Sequence, residues 1–170
     1  MEARAKAFGH PIHQMLVVFP LGLFSTAVIF DVIHLIRGGP TWSIVAYWMI
    51  GAGIIGGLCA AVFGAIDWWG IPRGTRAHRL GLLHGLGNVC VVGLFAVSWF
   101  LRRGEPGSPS VAAVAFLIAG GALVLVTGWL GGELVDRLGV GVDDGANVNA
   151  PSSLSIKTVK PSSADRGSLR

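Results

Sequence analysis

Four long apolar runs, each separated from the next by a short polar or turn-forming break, constrain this chain more than any other feature. A helix must present roughly 20 mostly apolar residues to cross a hydrocarbon layer of about 30 Å. Runs of that length occupy about residues 14–36, 43–66, 82–101 and 111–130, and the breaks fall at Arg37–Pro40, Gly70–Arg73 and Arg102–Pro106. Composition agrees: of 170 residues 52% are hydrophobic and 13% charged, about half the charge of a water-soluble domain. Too little polar surface exists to cover a soluble globule. The reading is all-α: a polytopic membrane protein built as an antiparallel four-helix transmembrane bundle, since short connections force neighbours to run in opposite senses. Residues 1–13 form an N-terminal flank, 14–142 the four-helix domain, and 143–170 a disordered polar tail rich in Ser, Asn, Pro and Lys.

The first run is too long for the apolar core of a signal peptide and contains Asp31, so all four spans are expected to persist. Lys and Arg concentrate on the side a membrane protein keeps in the cytoplasm. Arg4, Lys6, Arg73, Arg76, Arg79 and Arg137 lie at one set of span ends, against Arg37, Arg102 and Arg103 at the other. Both termini are therefore expected in the cytoplasm. The net charge of +4 comes from flanks and tail, which reads as a topology signal and not as a nucleic-acid footprint. The 26 glycines follow no Gly-X-Y period, so collagen is excluded. They read instead as packing residues, since helices in lipid associate through small residues. Gly53, Gly57, Ala61 and Ala65 would form one seam, Gly81 and Gly85 another, and Gly120, Gly128 and Gly132 a third. Pro20 should kink span one, the six tryptophans should anchor span ends at the interface, and Cys59 and Cys90 have no CxxC partner.

Ionisable groups at membrane depth are costly and usually face a bundle interior or a water-filled cavity. In the expected topology His10 and His13, Asp67, His78 and His84, and Glu133 all fall at the cytoplasmic ends of the four spans, with Asn88 one turn beyond His84. A scatter of polar groups would rarely gather on span ends of one polarity, so a shared site is the simpler account. Each residue also has a structural alternative. His10 would sit at the water interface and His78 in a solvated loop. His84 would bond to Asp67 or Glu133, and those acids to Arg73 or Arg137. On the other face Asp31 and His34 would pair with each other at i,i+3 spacing.

The stretch Gly9–Pro20, together with Asp67, the Pro72–Ala77 run leading to His84 and Asn88, and Gly128–Val135 before Gly139–Val142, resembles the bacterial family known as domain of unknown function 2231. The resemblance covers about residues 8–142 and implies a small polytopic membrane protein, often of four helices, with no assigned activity. The family's last motif carries a tyrosine and a histidine where this chain has Asp136 and Leu138, so no role of that histidine carries over. Some members look joined to Rieske-type or cytochrome-like modules, which implies redox work by association.

Three functions compete, and no catalytic residue is assigned to any of them. In the first, His13 and His84 are axial ligands of one b-type haem and Asn88 or a carboxylate orients a ligand through its second nitrogen; a quinone or a partner redox subunit would exchange electrons with it. In the second, His10, His13 and His84 with Asp67 and Glu133 hold a non-haem zinc or iron. In the third, the chain is a noncatalytic structural or sensor subunit whose histidines titrate or knit the bundle. A channel or secondary transporter is disfavoured, because the spans show no inverted repeat.

Overall fold

The computed structural model of the chain describes residues 1–155. A two-stranded antiparallel hairpin, β1 (Lys6–Ala7) and β2 (His10–Pro11), precedes five helices: α1 (Ile12–Leu16), α2 (Val18–Arg37), α3 (Pro40–Trp69), α4 (Arg76–Leu101) and α5 (Val111–Gly132). A π-helical turn, Glu133–Arg137, continues α5. Among the described residues four segments are long and apolar enough to cross a membrane: Ile12–Arg37, Pro40–Trp69, Arg76–Leu101 and Val111–Arg137. Each apolar run thus becomes one helical span, and most spans run past the edges of their run. The 30 residues of α3 extend about 45 Å at 1.5 Å per residue, well beyond the hydrocarbon. Caps and glycine turns, and not the edge of an apolar run, set several of the helix ends. Pro40 starts α3 at a position where its missing N–H costs nothing, after Gly38 and Gly39 turn the chain at φ +69° and +85°. Thr75 caps α4 by accepting from the His78 N–H, and Ser110 caps α5 by accepting from Ala113.

Span one breaks at Val17, between α1 and α2. Pro20 explains the position: it lacks the N–H that would bond the Leu16 carbonyl, and its ring crowds that carbonyl.

Contacts along neighbouring spans run in reverse order. From span one to α3 they pair His13 with Gly64, Pro20 with Gly57 and Phe24 with Gly53; from α4 to α5 they pair His84 with Gly131, Gly87 with Thr127 and Phe95 with Gly120. The core is Phe24, Ala27, Ala46, Ile50, Val91, Phe95, Leu117 and Val124. At its centre Phe24 and Phe95 stack with ring centres 4.0 Å apart and planes 5° apart. A methyl on Gly53 would approach Phe24 to 2.6 Å, and one on Gly120 would approach Phe95 to 2.9 Å, so these two glycines admit the aromatic pair. The expected seams are corrected on either side of this centre. Ala61 and Ala65 are exposed, and Gly85, Gly128 and Gly132 meet nothing within 4 Å. Gly56, Gly64, Gly121 and Gly131 make close approaches instead, because each helix packs on two neighbours and a single i,i+4 ridge serves only one. Ile55, Val89 and Leu125 are among the large apolar side chains left outward, where lipid would cover them. The tryptophans divide: Trp48, Trp69 and Trp129 are exposed, while Trp42 stacks on Phe30 and Trp99 on Tyr47.

Of the expected tail, residues 156–170 lie outside the described residues. Residues 143–155 form successive turns, with Ser153 Oγ 3.2 Å from His10 Nε2.

Candidate functional site

One end of the bundle collects the starts of spans one and three and the ends of spans two and four. His13, in α1, places its Nδ1 2.9 Å from the Ala60 carbonyl of α3. His84, in α4, places its Nδ1 2.9 Å from the Thr127 carbonyl of α5. A carbonyl only accepts, so both rings carry their proton on Nδ1 and turn Nε2 out as the acceptor. The two rings face each other with centres 6.4 Å apart and planes at 90°. Two glycines make room: a Cβ on Gly64 would stand 2.9 Å from His13 Cε1, and one on Gly131 would stand 3.1 Å from His84 Cε1. The i,i+4 spacing on α4 brings Asn88 Nδ2 to 3.2 Å from His84 Nε2 and 2.8 Å from the His84 carbonyl. Asn88 therefore touches Nε2, and Thr127, not Asn88 or a carboxylate, fixes the ring through its second nitrogen.

The remaining residues of the expected set go elsewhere. His10 lies on β2, exposed, against Ser153. Asp67 Oδ1 accepts from the backbone N–H groups of Arg4, at 2.7 Å, and Ala5, at 3.0 Å, so its partners are the folded-back N-terminal flank and not Arg73 or His84. Glu133 Oε2 pairs with Arg76 at 2.8 Å and not with Arg137. Among the described residues no three His, Cys, Asp or Glu side chains gather as a metal's ligands would. The five-residue set His10, His13, His84, Asp67 and Glu133 is thus reduced to one imidazole pair, because backbone donors and a nearby guanidinium take the two acids. His78, expected in a solvated loop, lies in the first turn of α4, half-buried, with its ring 4.7 Å from Trp68. Lys6, in the flank, has its pKa raised by the hydrogen bond to Glu2.

At the opposite end lies a cluster that the sequence reading missed. Arg102, one residue past α4, is fully buried with Asp31 of α2. Its Nη1 donates to Asp31 Oδ1 at 3.1 Å and its Nη2 to Oδ2 at 2.7 Å, a bidentate pair. Nη2 also reaches Ser98 Oγ at 3.1 Å, and Nη1 lies 3.4 Å from Ser43 Oγ. Those serines in turn donate to the Ala113 and Pro106 carbonyls at 2.7 Å. The expected Asp31–His34 pairing is corrected: His34 Nδ1 meets the Gly39 carbonyl at 2.8 Å. A guanidinium matches both carboxylate oxygens, which an imidazole three residues away does not. The available signal is an acid inside span one with Arg102 at the same span ends; the sequence alone does not separate a buried arginine there from an exposed loop charge.

A family model described as a predicted membrane protein, DUF2231, matches residues 9–144. No curated protein and no solved structure matches the chain.

Proposed function

Since the chain belongs to the DUF2231 family of membrane proteins, we propose that it works within the bilayer as a redox protein holding one b-type haem between His13 and His84. The observation that carries this reading is the imidazole pair: ring centres 6.4 Å apart, each ring tethered by Nδ1 to a carbonyl of a neighbouring helix. Each ring leaves Nε2, the nitrogen not bonded to a carbonyl, as the atom that would bind iron. A histidine ligand typically donates its other N–H to a carbonyl or carboxylate, the arrangement both rings have. Two protein ligands suffice for haem, whose iron takes its other bonds from the macrocycle, whereas non-haem zinc or iron sites use three or more side chains. The pair therefore favours haem over the zinc or iron alternative. When bound, haem would supply one-electron transfer, with a quinone or a redox subunit as the exchanging partner. The protein's own part is to hold both Nε2 atoms between helices, with Asn88 withdrawing from His84 Nε2 while keeping its bond to the His84 carbonyl.

The reading includes placement in a bacterial inner membrane with the pair near the cytoplasmic face. A second reading rests on the Asn88 contact: with His84 Nε2 and both Nδ1 atoms satisfied, the pair would knit the spans together in a structural or sensor subunit. An absorption spectrum of the detergent-solubilised protein, expressed with haem supply and paired with elemental iron, tests the choice. A Soret band with about one iron per chain, lost in His13→Ala and His84→Ala, is expected. A colourless, iron-free but folded protein overturns the haem reading and leaves the structural one.

A further inference from the structure

Beside the imidazole pair, at the same end of the bundle, Trp68 and Trp69 from the last turn of α3, Arg73 from the connection and His78 from the first turn of α4 line a cleft of about 320 Å³. Its floor is held in place. Trp68 Nε1 donates to the His78 carbonyl at 3.0 Å, and the two rings lie against each other. The connection is a built turn: Gly70 N–H bonds the Asp67 carbonyl, Ile71 N–H bonds the Trp68 carbonyl, and Thr75 Oγ1 donates to the Pro72 carbonyl at 2.7 Å. Buried Ile71 pins it from below. Yet the Arg73 guanidinium makes no hydrogen bond or ion pair among the described residues, and neither does the His78 ring. Their neighbours differ: Arg76 is committed to Glu133, and Asp67 to the flank. Trp69 is 72% exposed, and tryptophan is favoured at headgroup depth.

We propose that this cleft takes a phosphate group, with the headgroup of a membrane phospholipid and free phosphate as its two sources. Arg73 offers a planar fork of donors suited to phosphate oxygens, His78 offers a ring N–H, and the indole faces of Trp68 and Trp69 would cover the carbon atoms beside the phosphate. Basic pockets among membrane helices on the cytoplasmic side take anionic headgroups on the same grounds.

The test measures the thermal midpoint of the full chain in detergent with added phosphatidylglycerol, with phosphatidylcholine, or with inorganic phosphate. It compares the wild type with Arg73→Gln, His78→Phe and Arg79→Gln. Arg79, exposed in the first turn of α4 and outside the cleft lining, controls for net charge, and phenylalanine preserves the ring contact with Trp68. For a lipid source, phosphatidylglycerol raises the midpoint above phosphatidylcholine, and Arg73→Gln weakens apparent affinity by about fivefold or more, the effect of one cation on an anionic headgroup, while Arg79→Gln does not. For free phosphate, inorganic phosphate gives the Arg73-dependent rise and the two lipids do not differ. If Arg73→Gln and His78→Phe change neither response, or Arg79→Gln weakens it as much as Arg73→Gln, the cleft is not a phosphate site.

Discussion

Arg102 and Asp31 are both fully buried, so each depends on the other to neutralise its charge. Removing one partner of such a pair strands the other, at a cost of about 3–5 kcal/mol, whereas replacing both with apolar residues of similar size is often neutral or stabilising. Asp31→Leu and Arg102→Met should each destabilise the folded protein by that amount in reversible unfolding from mixed micelles, and the double variant should recover most of the loss. Single variants as stable as the wild type would show that the pair carries no such dependence. At the other end the decisive residue is Asn88. Because it contacts Nε2, the nitrogen that Thr127 leaves available, it would compete with the proposed haem for that atom. Under the haem reading, Asn88→Leu keeps the Soret band and retains haem at least as well as the wild type during dilution. Loss of the band in Asn88→Leu, with the fold intact, would give Asn88 a supporting role and reverse this assignment. Both arrangements were partly open to the sequence. His13, His84 and Asp31 stand out because ionisable groups inside apolar runs are rare, but their partners are backbone carbonyls of other helices and an arginine just past a span, and periodicity does not identify those.

Spans were legible as elements because hydrocarbon thickness sets a length, and each of the four runs became one helix or a helix broken once. Their ends were less legible. Hydrophobicity marks where lipid stops, while the helices continue until a cap or a glycine turn stops them, so His78 moved from an expected loop into α4 and Glu133–Arg137 into a π-helical turn. The N-terminal hairpin is not legible in the sequence: four paired residues carry too little pattern, and the two residues before them, Arg4 and Ala5, bond a side chain some sixty positions away. Asp67 Oδ1 accepts from the N–H groups of Arg4 and Ala5, and a hydrogen bond to a charged group contributes roughly 1.5–3 kcal/mol. In Asp67→Ala the amide hydrogens of Arg4 and Ala5 should exchange at least about tenfold faster, while those in the middle of α3 should keep their protection. Unchanged exchange at Arg4 and Ala5 would mean that the hairpin is held by its own pairing.

Across the whole molecule, burial of Arg102 bears on orientation. Of the basic residues at that end, only Arg37 and Arg103 remain exposed, and Arg103 lies over the Trp99 and Phe100 rings. The end that holds the imidazole pair keeps Arg4, Arg73, Arg76, Arg79 and Arg137 exposed, with Lys6 half-buried beside them. The asymmetry in water-facing charge is thus steeper than a count of the sequence suggests, and by the rule that favours cytoplasmic Lys and Arg the crowded end should face the cytoplasm. Two single-cysteine variants decide it, each made after replacing Cys59 and Cys90 with alanine: Glu105→Cys in the connection between α4 and α5, and Asn149→Cys beyond the fourth span. Both positions are exposed. A membrane-impermeant maleimide added to intact spheroplasts should modify Glu105→Cys and leave Asn149→Cys untouched until the membrane is opened. The opposite pattern would put the imidazole pair and the phosphate cleft at the outer leaflet, and any electron partner for the proposed haem would then have to approach from outside the cell membrane.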